Sequence, residues 1–159
     1  MFLIRSDYFC KDLYRTGFLF GVSFFYNVKN ITSGNMQFKI DTKEKIVLLR
    51  LEEETLDAKM SDTFVSSAAA ISELEEKNLI LDLRSLQSAD DAGLKAIFTV
   101  YMRQYDRGLS AAVTGLNSTL TQNLSAAYPE MLNIVPTESE ATDMVMMEDL
   151  ERELNLDDE

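Results

Sequence analysis

Asn78-Leu79-Ile80-Leu81-Asp82-Leu83-Arg84 is followed, after Ser85-Leu86-Gln87, by Ser88-Ala89-Asp90-Asp91-Ala92-Gly93-Leu94. The first stretch is a short, nearly continuous apolar run, which suits a central strand covered on both faces. Residues 85–90 read as a loop. From about Asp91 to Arg107, Leu94, Ile97, Phe98, Tyr101 and Tyr105 recur at helical spacing and form one inner face. Gly108 is well placed to stop that helix. Strand, loop and helix in this order are the unit from which parallel sheets are built.

The pattern continues in both directions. Downstream, Leu109–Gly115 predicts a strand, and Asn117 to about Ala127 a helix with Leu120 and Leu124 inward, ended by Pro129. Leu132–Val135 is a last strand closed by Pro136. A final helix starts near Glu138 with Ala141, Met144, Met147, Leu150 and Leu154 on one stripe. Residues 138–159 hold ten acids and one base, so its outer face is a solvated anionic surface. Upstream, Met36, Phe38 and Ile40 alternate with Gln37 and Lys39, as in a half-buried strand. After a polar turn, Asp41–Glu44, a second strand, Lys45–Glu52, completes a hairpin. Asp57 caps a helix running to about Lys77, with Met60, Phe64, Ser67/Ala68, Ile71 and Leu74 spaced by three and four. The order β-β-α-β-α-β-α-β-α predicts an α/β fold: a mixed, mainly parallel sheet with an N-terminal hairpin and about four helices.

Residues 1–35 differ from the rest. They hold nine of the fifteen aromatics and carry a net charge of +2, against −14 for residues 36–159. The apolar run Gly17–Tyr26 is too short to span a bilayer as a helix. Asp7, Lys11, Asp12 and Arg15 precede it, and no Ala occurs before Ala58, so the A-x-A site of a signal peptide is absent. Residues 1–35 therefore read as an N-terminal extension to a domain at 36–159. The extension is a disordered piece translated from a start upstream of Met36, an accessory segment packed on the domain, or a signal or anchor.

Composition narrows the chemistry. The chain has 159 residues, 18.0 kDa and a formal charge of −12, which suits one domain. Such acidity disfavours non-specific nucleic-acid binding and docking on an anionic membrane, both of which need Lys/Arg. With no His, there is no Ser–His–Asp or Cys–His catalysis and no His-ligated metal. Cys10 is the only Cys, so there is no internal disulfide and no CxxC site. GxGxxG, GxxxxGK[ST] and GxSxG are all missing. An enzyme, a cofactor and a metal site are not expected.

Two features of the opening stretch stand out. Asp90 or Asp91 suits a helix N-cap, where a carboxylate accepts free backbone N–H groups and meets the positive end of the dipole. Gly93, just inside the helix, does not follow from capping. It costs roughly 1 kcal/mol relative to Ala, so it predicts a close backbone approach by another element or a partner. Asp82 in an apolar strand reads as a polar strand end bonded to a neighbouring loop; the other reading is a phosphoacceptor like that of a receiver domain.

The stretch from Met36 to about Leu154 resembles the STAS family, the anti-sigma-factor antagonists. The residues that carry the resemblance are Leu79–Leu86, Ala89–Leu94, Leu56-Asp57-Ala58, and the ending Asn133–Glu138 with Ala141. The family reads an apolar strand with LDLS, a short loop, then D-S-S/T-G-L opening a helix. The resemblance implies a non-enzymatic, cytoplasmic binding module for transcription regulation by partner switching. Its partner would be a kinase-type anti-sigma factor, which phosphorylates the Ser after the motif's Asp and so ends the complex. It places the partner-binding surface at Asp57, Asp90, Asp91, Ala92, Gly93 and Leu94 and on the outer face of the second helix, with no nucleic acid and no membrane insertion.

Here the phosphoacceptor-equivalent position holds Asp91, and Ala92 follows, so no hydroxyl is available. Asp91 either imitates phosphoserine, with less charge, or preserves the helix cap. In both cases phosphorylation at the usual site cannot switch the protein. Ser88, three residues before Asp91, is a substitute acceptor of lesser standing. Glu54 replaces the family's preferred Gly in G-x-L-D, and Tyr128-Pro129 sits where a Gly is common, which implies reshaped loops. Two alternatives stay open: a STAS subunit of a membrane-lipid transport complex, since some of these carry D-T-A-G-L, and a receiver-like domain using Asp82.

Overall fold

The computed structural model describes residues 27–34 and 36–156. The expected β-β-α-β-α-β-α-β-α order is present, with one more strand before it and two short ones, at 55–56 and 88–89, in or beside the stretches read as loops. β1 (Asn27–Ser33), β2 (Met36–Thr42) and β3 (Ile46–Leu51) are antiparallel neighbours. β5 (Asn78–Asp82), β7 (Ala111–Thr114) and β8 (Ile134–Val135) then add in parallel, giving the order β1-β2-β3-β5-β7-β8. β4 (Thr55–Leu56) and β6 (Ser88–Ala89) pair in parallel as a separate two-stranded ribbon. Of the segment set apart at 1–35, β1 adds an edge strand to the sheet; residues 1–26 lie outside the described residues.

Strand alternation sorts the sheet into two unlike faces. On one side Met36, Phe38, Ile40, Val47, Leu49, Leu51, Leu79, Leu81 and Val113 form a continuous core. It is covered by α1 (Ala58–Ala69), α2 (Asp91–Asp106) and α3 (Ser118–Ala127) through Phe64, Ala68, Ile97, Val100, Tyr101, Leu120 and Leu124. The other face is apolar only at its centre, where Ile46, Leu48, Ile80, Ala112 and Val135 meet Ala141 and Val145 of α4 (Glu138–Leu156). Towards β2 that face carries Gln37, Lys39 and Asp41, so a single helix suffices to cover it. All five residues of β5 are buried, as the unbroken apolar run requires.

Two helices depart from their expected form. The helix after Asp57 ends at Ala69 instead of near Lys77, and a 3-10 turn, Ser72–Glu75, follows. The three-residue step keeps Ile71 and Leu74 on the buried side, so the apolar spacing runs through the break. Side chains of α2 and its C-cap take the freed carbonyls: Gln104 Nε2 donates to Leu74 O (3.0 Å) and Lys77 O (2.7 Å), and the C-cap Arg107 donates from Nη1 to Leu74 O (3.1 Å).

In α4 only Ala141 of the expected stripe is fully buried; Met147, Leu150 and Leu154 face outward. The inner line is Ala141, Val145, Glu148, Asp149 and Arg152. Its polar half is satisfied by the sheet end, with Lys45 Nζ on Asp149 (3.1 Å) and Arg152 Nη1 on Ser110 Oγ (2.7 Å). Asn133 Nδ2 and Tyr105 Oη both donate to Glu148, at 2.7 and 3.0 Å. Burial, then its bond with Tyr101, pushes the Tyr105 phenol far above its ordinary range, so it stays a donor.

Candidate functional site

The first turns of α1 and α2 lie side by side. Asp57 is the N-cap of α1, where its Oδ1 accepts from Lys59 N and Met60 N, both at 3.0 Å. Asp90 is the N-cap of α2, where its Oδ1 accepts from Gly93 N at 2.8 Å. The second oxygen of Asp90 reaches across and accepts from Ala58 N of α1 at 3.0 Å. One carboxylate therefore ties two helix N-termini together. The β4–β6 ribbon holds the arrangement from below, with Asp90 N donating to Leu56 O (3.2 Å) and Gln87 N to Glu54 O (2.7 Å).

The capping question is settled in favour of Asp90. Asp91 is the first helical residue, exposed, and among the described residues its carboxylate accepts no hydrogen bond. Its charge is presented at the positive end of α2. Gly93 is buried, and a Cβ there would stand 2.2 Å from Leu56 O and 3.2 Å from Ala89 Cβ. The close approach predicted from this glycine is thus to β4, an element of the same chain. Leu94 is buried in the core and Ala92 half-buried. Of the six residues expected to meet a partner, Asp57, Asp90 and Asp91 are exposed, Ala92 is partly so, and Gly93 and Leu94 lie inside. An open, shallow depression runs between Thr55-Leu56-Asp57 and Ser88-Ala89-Asp90. Ser88 is exposed at its rim.

Asp82 has a different setting. It is 0% exposed and closes the C-terminal end of β5. Its Oδ2 accepts from Arg50 Nε and pairs with Arg84 Nη2, both at 2.7 Å, while Oδ1 accepts from Arg84 N (3.1 Å) and Arg84 Nε (3.0 Å). Glu138, at the start of α4, lies 3.5 Å from Arg84 and 3.7 Å from Arg50. Burial raises the Asp82 carboxyl, but the hydrogen bonds from Arg84 and Arg50 outweigh it and hold the group below its ordinary value. Gly115, at φ +79°, completes the enclosure, since a Cβ there would lie 2.9 Å from Asp82 Oδ1. Asp82 is a structural anchor, closed to a phosphate donor, and the receiver-like alternative loses its acceptor.

Sequence reading did not connect Arg50, Arg84 and Glu138 to Asp82, nor Asp90 to α1. For Arg50 the signal was alternation: it shares a face of β3 with Ile46 and Leu48, beneath α4, and the parallel register sets it opposite Asp82. The segment after α3 has its own packing. Tyr128 stacks on Phe98 with ring centroids 4.0 Å apart, and Glu130 takes the left-handed turn (φ 57°) near the position where the family often has Gly. Among the described residues no three His, Cys, Asp or Glu side chains are grouped to hold a metal, and no helix is long and apolar enough to cross a membrane.

The family model for the STAS domain matches residues 37–141. The chain belongs to the STAS domain family. A Thermotoga maritima protein assigned as an anti-sigma factor antagonist shares the fold with TM-score 0.58 at 20% identity, over 69% of this chain and 94% of its own. An anti-sigma factor antagonist from Mycobacterium paratuberculosis gives TM-score 0.61 at 12% identity, covering 70% of this chain and 95% of that one. The Bacillus cell fate determinant SpoIIAA, in its phosphorylated form, gives 0.52 at 15% identity, over 68% and 98%. No curated protein matches this STAS chain in sequence.

Proposed function

We propose that this STAS protein is a non-enzymatic regulator that binds a kinase-type anti-sigma factor in the cytoplasm, using the surface formed by Asp57, Asp90 and Asp91 and the outer face of α2. The observation that carries the reading is the division of labour at the α2 N-terminus. Asp90 caps the helix and bridges to α1, so the cap does not need Asp91. Asp91 then stands free at the position equivalent to the family's phosphoacceptor, as a fixed negative charge. A carboxylate carries −1 where a phosphoserine carries about −1.5 to −2, a smaller charge that leaves the complex intact, and it offers the kinase no hydroxyl to modify. Binding is therefore set by the sequence and not by phosphorylation at this position.

The test is to tag the protein at its C-terminus in its native cell, capture it and identify what comes with it by mass spectrometry. The expected companion is a protein with a kinase-type ATP-binding fold. Recovery of a transporter ATPase instead would move the protein to the lipid-transport alternative, and sensitive captures that never contain a kinase-type regulator would sink the proposal.

A further inference from the structure

Among the described residues, three of the exposed large hydrophobics lie together on the outer side of α4: Met147, Leu150 and Leu154 are 62%, 51% and 66% exposed. At spacings of three and four they lie on one stripe, bordered by acids; α4 holds seven acids against one base, Arg152. We propose that the stripe is the docking site of the chain's own residues 1–26.

Three observations select this occupant. The first is entry. The chain enters the sheet at Asn27, which pairs with Thr42. Just beyond Thr42, Lys43 lies 3.7 Å from Glu138, and Lys45 lies 3.1 Å from Asp149 and 2.8 Å from Glu153. Residues 1–26 therefore leave the sheet beside the turn that grips α4, on a tether of up to about 85 Å, against a helix about 28 Å long. The second is composition: residues 1–26 carry nine of the fifteen aromatics, a load that needs an apolar surface. The third is charge. The segment has Arg5, Lys11 and Arg15 against two acids, complementary to α4. A second copy would set the acidic border against itself, and an anionic membrane would repel it. α4 lies across the sheet from Asp90 and Asp91, so this proposal and the proposed function stand or fall separately.

Cys10 is the only cysteine in the full chain and gives a unique attachment point. With a nitroxide on Cys10, the Met147 methyl NMR signal should lose most of its intensity. Met36 and Met102, on the helix-covered core side, should keep theirs. Mixing nitroxide-bearing chains with isotope-labelled chains free of nitroxide should leave Met147 unaffected. Leu150→Glu should restore the Met147 signal in the spin-labelled chain without moving the Met36 signal. A Met147 signal that never weakens, a loss that survives Leu150→Glu, or a loss that appears in the mixed sample would overturn the proposal; the last result would point to a second copy on the stripe.

Discussion

Asp82 and Asp91 are nine residues apart in one stretch of chain, yet their surroundings make them different chemical objects. Asp82 is enclosed by Arg50, Arg84 and the Gly115 turn, and every interaction it makes is internal. Asp91 is exposed at the start of α2 and makes no hydrogen bond among the described residues. Asp90, between them in role, caps one helix and bridges to another. A carboxylate whose lone pairs are used inside the fold contributes to stability. One whose lone pairs are open is available to a partner. Substitutions should therefore separate stability from binding along this stretch.

The largest loss is expected at Asp82. Removing one partner of a buried ion pair leaves the other charge uncompensated, so Asp82→Ala should cost about 3 kcal/mol in urea denaturation, moderated because both guanidiniums reach solvent. The same anchor has a pH signature. Asp82 is held below its ordinary value, so its contribution is fully present above the unfolded carboxylate range and drains away as pH falls through the lower folded value. Asp82→Asn should flatten the acid limb of the stability curve below about pH 4. If the acid limb keeps its slope, Asp82 is not the group responsible.

Next comes Gly93→Ala. Helix propensity alone predicts a gain of about 1 kcal/mol. The 2.2 Å approach to Leu56 O predicts instead a net loss of about 2 kcal/mol, with the β4–β6 ribbon loosened. Asp90→Ala should cost about 1.5 kcal/mol through the lost cap, and hydrogen exchange should quicken at both Gly93 and Ala58 because one side chain serves both amides. Exchange that changes at Gly93 alone would break the proposed bridge. The smallest effect on stability, within about 0.5 kcal/mol, is expected for Asp91→Ala.

The order of elements was legible because apolar periodicity switches cleanly between two and three-to-four along residues 36–135. The cap at Asp57 and the glycine approach at Gly93 were legible too, since each residue type has one local use there. Other features were hidden. β1 was obscured because Asn27–Ser33 sits beside the aromatic-rich segment and pairs along the sheet edge, where periodicity is weak. The inward face of α4 was only partly legible: Ala141 and Met144 of the expected stripe do meet the core, with Val145 and Met146, but Met147, Leu150 and Leu154 face outward and the far half of the inner line is polar. The choice between Asp90 and Asp91 as cap was open because both are acids at adjacent positions; only backbone geometry distinguishes a cap from a first helical residue.

The central claim is that Asp91 replaces a phosphorylation switch with a fixed charge. It is tested most directly by measuring, by calorimetry, the binding of the kinase-type regulator to the wild-type protein and to Asp91→Ser, with and without ATP. The wild type should bind with the same affinity in both conditions, and Asp91→Ser should lose affinity only when ATP is present, with phosphate on the new serine. ATP-dependent release of the wild type, with phosphate on Ser88 or elsewhere in the chain, would contradict the claim.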